Sequence, residues 1–380
     1  MDRRALLKAL AAAPLAAAVP AWAAPAAPQR LLVLVYLYGG NDGFNTWVPY
    51  TDGLYYKLRP NIAVPRDAVI RITDRHGFHP SLAALMPSWQ AGDLALMQGV
   101  GYPQATQQHY RDAEIAFTGD DVEFRADGWV SRALASRTQA PCIAFDLLDV
   151  RAADPMGPYR GEKIPAVQVY YASELLQKHR AQDCATVVNG PGARALAGLP
   201  PIQAPLKTRF PDDPFGEAMR ATVELAAADR AIPVIHVTLN GPEGEKHHSV
   251  DCHWKQLEYH GTALKRLAEG LAALRNGLQE IGRWDETLVA TYDEFGRSPV
   301  ENGDQGTHHG LATTHFMMGG RVKGGLHGEA PPVERVYLVG GPAPSTDTRR
   351  VWNTVVQRWW DLPEARVFGS GYKPLDFLKA

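Results

Sequence analysis

The 380-residue sequence has only three cysteines and no surplus of either charge, since 39 Lys and Arg stand against 41 Asp and Glu. Three cysteines exclude a disulfide-stapled scaffold, which needs several bridges to make up for a missing core. A formal net charge of −2 is too small for binding driven by phosphate neutralisation or for a chain kept disordered by self-repulsion. The 35 glycines and 29 prolines follow no repeat, which excludes a collagen-like rod. Beyond the N-terminus no apolar run reaches the roughly 20 residues of a membrane span. What is left is globular composition, 45% hydrophobic and 21% charged, and a length that can bury one large core.

The N-terminus reads as an address. Asp2-Arg3-Arg4-Ala5-Leu6-Leu7-Lys8 precedes an Ala-rich apolar stretch ending in Ala21-Trp22-Ala23, the charged start, short apolar run and small-x-small site of a cleavable signal. The paired arginines make it a twin-arginine type, placing the mature protein in the periplasm or outside the cell. Residues 24–30 read as a Pro/Ala linker and 31–380 as one domain. Cleavage removes three basic residues and one acidic one, which takes the net charge to about −4, too mild to point to a partner. In an oxidising compartment Cys142 and Cys184 are a candidate pair, with Cys252 left over.

Leu31–Leu37 (LLVLVYL), Leu94–Gly99, Val234–Leu239 and Thr287–Tyr292 are short apolar runs expected to be buried strands, and Glu334–Val339 a further one. Helical patterns cover Ser81–Ala91, Thr106–Phe117, Trp129–Ser136, Phe215–Arg230, Leu257–Ile281 and Arg349–Trp360. The proline-bearing stretch of about 140–214 is expected to be a loop-rich insertion. Strands alternating with helices predict an α/β fold, a mostly parallel sheet flanked by helices on both faces.

In such sheets, ligand-binding groups gather past the C-terminal ends of the strands. Three strand ends carry acids: Asp42 after the first, Asp251 with His253 after Val234–Leu239, and Asp293 with Glu294 after Thr287–Tyr292. Nine of the 13 histidines lie between His236 and His327. Carboxylates and neutral imidazoles on one rim suit a divalent ion, whether Zn, Mn or Ca. Taken singly each is bland, because Asp42 in Gly-Asn-Asp-Gly suits a turn and Cys252-His253 lacks zinc-finger spacing.

Several motifs carry a family resemblance. The first block is Tyr38-Gly39-Gly40-Asn41-Asp42-Gly43-Phe44-Asn45, Arg59-Pro60 and Phe78-His79-Pro80-Ser81-Leu82. The second is Gly99-Val100-Gly101-Tyr102-Pro103 with His109-Tyr110, then Gly128-Trp129. The third is Glu294-Phe295-Gly296-Arg297-Ser298-Pro299 with Asn302, His309-Gly310, Gly319-Gly320 and Gly324-Gly325, followed by Thr346-Asp347 and Arg349. In that order the chain resembles the exported bacterial family called domain of unknown function 1501, itself similar in fold to the alkaline phosphatase/sulfatase superfamily.

The resemblance implies an alkaline-phosphatase-like fold with a two-metal rim, whose ligands by position are Asp42, Asp251, His253, Glu294 and His309. It also implies metal-assisted transfer of a phosphoryl or sulfuryl group from a small anionic ester, with Arg297 as an anion contact or a structural ion pair. Two departures bear on this. Where the family has Ser before the His of its third motif, this chain has Gln108 before His109. The nearest hydroxyl, Thr106, is then a nucleophile or a helix cap. The family's Asp-His-Gly appears here as His308-His309-Gly310, while its Ser-Glu-Phe appears as Asp293-Glu294-Phe295, exchanging one carboxylate for another. The sequence therefore supports an exported metal-dependent hydrolase of phosphate or sulfate esters, a catalytically inactive binding protein on the same fold, or a metal-free secreted scaffold.

Overall fold

A computed structural model describes residues 30–134, the strand backbones 142–146, 167–171 and 186–187, and residues 205–239, 250–333, 340–363, 367–369 and 371–380. The proposed signal, Cys184, the side chain of Cys142 and the strand expected at Glu334–Val339 lie outside the described residues.

Among the described residues, one ten-stranded sheet organises the fold. In chain order its strands are β1 (Leu31–Leu37), β2 (Leu94–Gly101), β3 (Cys142–Asp146), β4 (Val167–Tyr171), β5 (Thr186–Val187), β6 (Val234–Leu239), β7 (Thr287–Tyr292), β8 (Thr313–Met318), β9 (Gly325–Gly328) and β10 (Thr346–Asp347). Across the sheet the order is β9-β2-β8-β7-β1-β6-β3-β4-β5, with β10 also pairing β2. The pairs are parallel except β7–β8, β8–β2 and β4–β5. A mostly parallel sheet is thus what the sequence pattern anticipates. The stretch expected to be a loop-rich insertion nevertheless contributes β3, β4 and β5, which extend one edge of the sheet.

Continuous apolar runs make central strands because both faces are covered. Leu31, Val33, Val35 and Leu37 of β1 enter one core with helices α2 (Pro214–Ala228) and α3 (Gln256–Glu280). Leu32, Leu34 and Tyr36 enter the opposite core with α1 (His109–Thr118), the Trp129–Leu134 helix and α4 (Thr348–Thr354). Asp213 caps α2 by accepting from the Phe215 and Gly216 amides, with Pro214 in the first turn.

Several helix boundaries differ from the pattern. The expected Ser81–Ala91 helix is a 3₁₀ segment, Pro80–Leu85, followed by an α-helical Met86–Ala91. Pro87 has no N–H to continue a single α-helical ladder through the junction. α1 starts at His109 rather than Thr106, since Gln107 takes a left-handed φ of 63° that no helix accommodates. α4 ends at Thr354 and continues as a π-helical turn, Val355–Trp359.

The topology sets the site. β7, β1 and β6 are adjacent and parallel, so the chain leaves all three on one edge of the sheet. The residues after their C-terminal ends include Asp42, Asp293 and Glu294, and farther along the chain Asp251 and His253.

Candidate metal centre

Four side chains on this edge converge. His109, Asp251, His253 and His309 each offer one ligand atom, and these atoms all lie within 4.8 Å of one another. His109 opens α1, and His309 ends a short strand, Thr307–His309, that pairs with Arg297–Glu301. His253 Nε2 lies 3.0 Å from Asp251 Oδ1 and 3.0 Å from His309 Nε2. His109 Nε2 lies 3.7 Å from Asp251 Oδ2. All four are partly exposed, so solvent reaches the cluster.

The other ring nitrogens explain why these atoms face inward. His309 Nδ1 donates to the Gln107 carbonyl at 2.7 Å, leaving its Nε2 as a lone pair. Burial and the nearby Arg297 charge hold that imidazole down to about 4, so it is neutral at ordinary pH. His109 Nδ1 meets Glu294 Oε1 at 2.9 Å, which likewise directs its Nε2 to the cluster. Burial works against protonating His109, but the Glu294 hydrogen bond and the Glu294 and Asp251 charges outweigh it and raise its pKa. Burial also opposes ionisation of Asp251, yet contacts with His253 and Arg297 hold its carboxyl well below the usual range. Three imidazole nitrogens and one carboxylate, two of the rings fixed through their far nitrogens by a carboxylate and a carbonyl, are a donor set that fits a divalent ion.

Arg297 is buried beneath this cluster. Its Nε donates to the Gly40 carbonyl at 3.0 Å, its Nη1 to the Thr307 carbonyl at 3.3 Å, and its Nη2 to the Gly39 carbonyl and Asp251. It orients Asp251 and is committed to the chain, which is the ion-pair reading of this residue. Glu294 is buried; besides His109 it accepts from the Gly39 amide at 2.8 Å. It therefore supports a cluster ligand and is not one of the four converging groups. Gly39 has no substitute here, because at φ 105° a Cβ would lie 2.2 Å from the Asp251 Cβ.

The remaining sequence candidates lie outside the cluster. Asp42 is fully buried in a bidentate pair with Arg59, and also accepts from the Phe44 and Asn45 amides and from Gln256. Burial resists its ionisation, but Arg59 prevails and its pKa is lowered. Its geometry is that of the cap of Gly43–Thr46, so the turn reading describes its contacts. Asp293 is buried too; it accepts from the Asn41 amide at 3.1 Å and the Thr313 hydroxyl at 2.9 Å. Burial and the Glu294 charge push its carboxyl well above the usual range. His308 neighbours His309 on a strand, and strand alternation turns it to the other face. The Thr106 hydroxyl donates to Asp112 at 2.8 Å and accepts from the Gln108 amide at 3.3 Å, so it organises the turn before α1. The Gln108 side chain makes no cap hydrogen bond to that helix.

Two further groups support the cluster, a backbone carbonyl and an asparagine that the sequence shows only as part of a motif. The Gln107 carbonyl holds His309, and the Asn302 amide donates to the His253 carbonyl at 2.8 Å. A backbone carbonyl has no residue-type signature, which leaves the positive φ of Gln107 as its structural trace.

Comparison with known proteins bears on the same segment. Residues 202–339 match the family described as Protein of unknown function (DUF1501). The resemblance carried by the motifs is borne out there, and the matched segment holds Asp251, His253, Glu294, Arg297 and His309. No curated protein matches the chain. Among solved structures the chain is similar to a lipoteichoic acid synthase from Listeria monocytogenes, with 10% identity, 91% of this chain and 76% of that one covered, and a TM-score of 0.45. It is also similar to a protein in the alkaline phosphatase superfamily from Vibrio parahaemolyticus, with 10% identity, 92% and 70% coverage and a TM-score of 0.44. A third is a sulfatase from a Pseudoalteromonas species, with 11% identity, 92% and 71% coverage and a TM-score of 0.41. Among the described residues, no helix is long and apolar enough to cross a membrane.

Proposed function

We propose that this DUF1501-matching chain is an exported metal-binding protein that hydrolyses small phosphate or sulfate esters at a single divalent ion held by His109, Asp251, His253 and His309. The observation that carries this reading is the convergence of the four ligand atoms within 4.8 Å, with the far nitrogens of His109 and His309 engaged elsewhere. Three imidazoles and one carboxylate favour zinc over calcium, which prefers an all-oxygen cage. When bound, the ion supplies Lewis-acid polarisation of a phosphoryl or sulfuryl oxygen and activates water. The protein's part is to fix His109 through Glu294, His309 through Gln107 and Asp251 through Arg297. Twin-arginine export would deliver the protein to the periplasm or outside the cell. No nucleic acid and no membrane span after signal cleavage belong to this reading.

Metal analysis of protein purified after native export tests it. About one equivalent of metal per chain is expected, and less than a tenth of an equivalent sinks the proposal. With metal present, turnover on a panel of phosphate and sulfate monoesters should collapse in His253→Ala.

A second reading, a binding protein without turnover, is favoured by one observation. Neither Arg297 nor Thr106 is available to an ester, since both are committed to partners within the chain. A metal-replete protein that turns over nothing on the panel would establish it.

A further inference from the structure

A phosphate or sulfate group beside Asp251 and Glu294 meets two carboxylates, so it needs a hydrogen-bond donor that the chain has not already used. Arg297 is spent on Gly39, Gly40, Thr307 and Asp251, and Thr106 on Asp112. Tyr38 differs from both. It follows the C-terminal end of β1, and its half-buried ring lies against His109 with centroids 5.9 Å apart and planes 25° from parallel. Its phenol sits in the field of Glu294, Asp251 and Tyr110, and no described residue hydrogen-bonds its hydroxyl.

Building on the ester-hydrolase reading, we propose that the Tyr38 hydroxyl donates a hydrogen bond to a terminal oxygen of the phosphate or sulfate group bound at the cluster. The sequence shows Tyr38 only as the first letter of a glycine-rich motif; its place beside His109 gives it a role in binding the substrate anion. A tyrosine hydroxyl is a hydrogen-bond donor at neutral pH, and this one stands beside the His109 ring. A neutral donor there adds affinity for the anion without drawing on the charge of Arg297.

The test is Tyr38→Phe, which keeps the ring on His109 and removes only the oxygen. Zinc content and Tm are measured alongside calorimetric titration of the zinc-loaded protein with inorganic phosphate and with sulfate. The expected result is wild-type zinc content and Tm, with the Kd for phosphate raised about tenfold. An unchanged Kd overturns the proposal, as does a weakened Kd accompanied by loss of zinc, which would make Tyr38 a support for the metal. Wild-type protein that holds zinc but binds neither anion overturns this inference alone. Wild-type protein without zinc removes the functional reading and this inference with it.

Discussion

Single residues separate supporting the site from supplying a ligand. Glu294→Gln keeps the shape of the side chain but removes the carboxylate that fixes His109, and should weaken metal affinity about 10- to 100-fold with little change in fold. Competition against a chelator of known affinity reads this, and an unchanged affinity would place Glu294 outside the site's support. Asp42→Ala is expected to behave in the opposite way. It strands a fully buried Arg59 guanidinium and should cost about 3–5 kcal/mol of stability, while the fraction that folds keeps its metal. Denaturant unfolding together with metal analysis of the folded fraction separates the two outcomes. Asp42 and Asp251 look alike in sequence, each an acid in a polar stretch beyond an apolar strand. What distinguishes them is the arginine each one meets. Arg59 buries Asp42 whole, whereas Arg297 holds one oxygen of a partly exposed Asp251. Pairings across such sequence separations leave no local trace.

At the scale of elements, the site depends on two tight backbone passages. Gly39 carries the chain from β1 past Asp251, and Gly39→Ala should cost at least about 3 kcal/mol and abolish metal binding, because the new Cβ displaces the ligand's own. The turn before α1 is the other passage. Gln107 holds its left-handed conformation so that its carbonyl meets His309. Gln107→Gly should therefore keep the metal and cost no stability, whereas Gln107→Val should lose both; thermal melts with and without zinc check the pair. The strands that bear the acids were legible because β1, β6 and β7 are continuous apolar runs covered on both faces. β8, which lies between β7 and β2, was not, since Thr313-Thr314-His315 interrupts its apolar run while the fold buries all three. Thr106 reads as the cap of α1, yet its hydroxyl is bound to Asp112 in the turn before the helix, which starts at His109.

For the molecule as a whole, the same charges set its response to pH. Asp42 and Asp251 are held below their ordinary values when folded. Their contribution is therefore present above the unfolded aspartate value of about 3.9 and is lost as pH falls through the depressed ones. His109 is shifted the other way. Its contribution is complete below the unfolded histidine value of about 6.5 and disappears as pH rises through the raised one. Metal-stripped protein should accordingly weaken on the alkaline side as His109 and Asp293 lose their protons, and also weaken as pH falls below about 6.5, where the unfolded chain takes up the proton that the folded His309, held down to about 4, refuses. A bound ion reverses that alkaline loss, because coordination requires the three imidazoles neutral and a proton on His109 competes directly with the metal. The gain in Tm on adding zinc should thus be small at pH 5 and rise steadily to pH 8. In Glu294→Gln, which removes the main group favouring protonated His109, the rise should begin at lower pH although the final gain is smaller. Differential scanning fluorimetry across this range, with zinc or chelator, measures both curves. A zinc-dependent gain that stays constant from pH 5 to 8 would show that the ion is not held through these histidines.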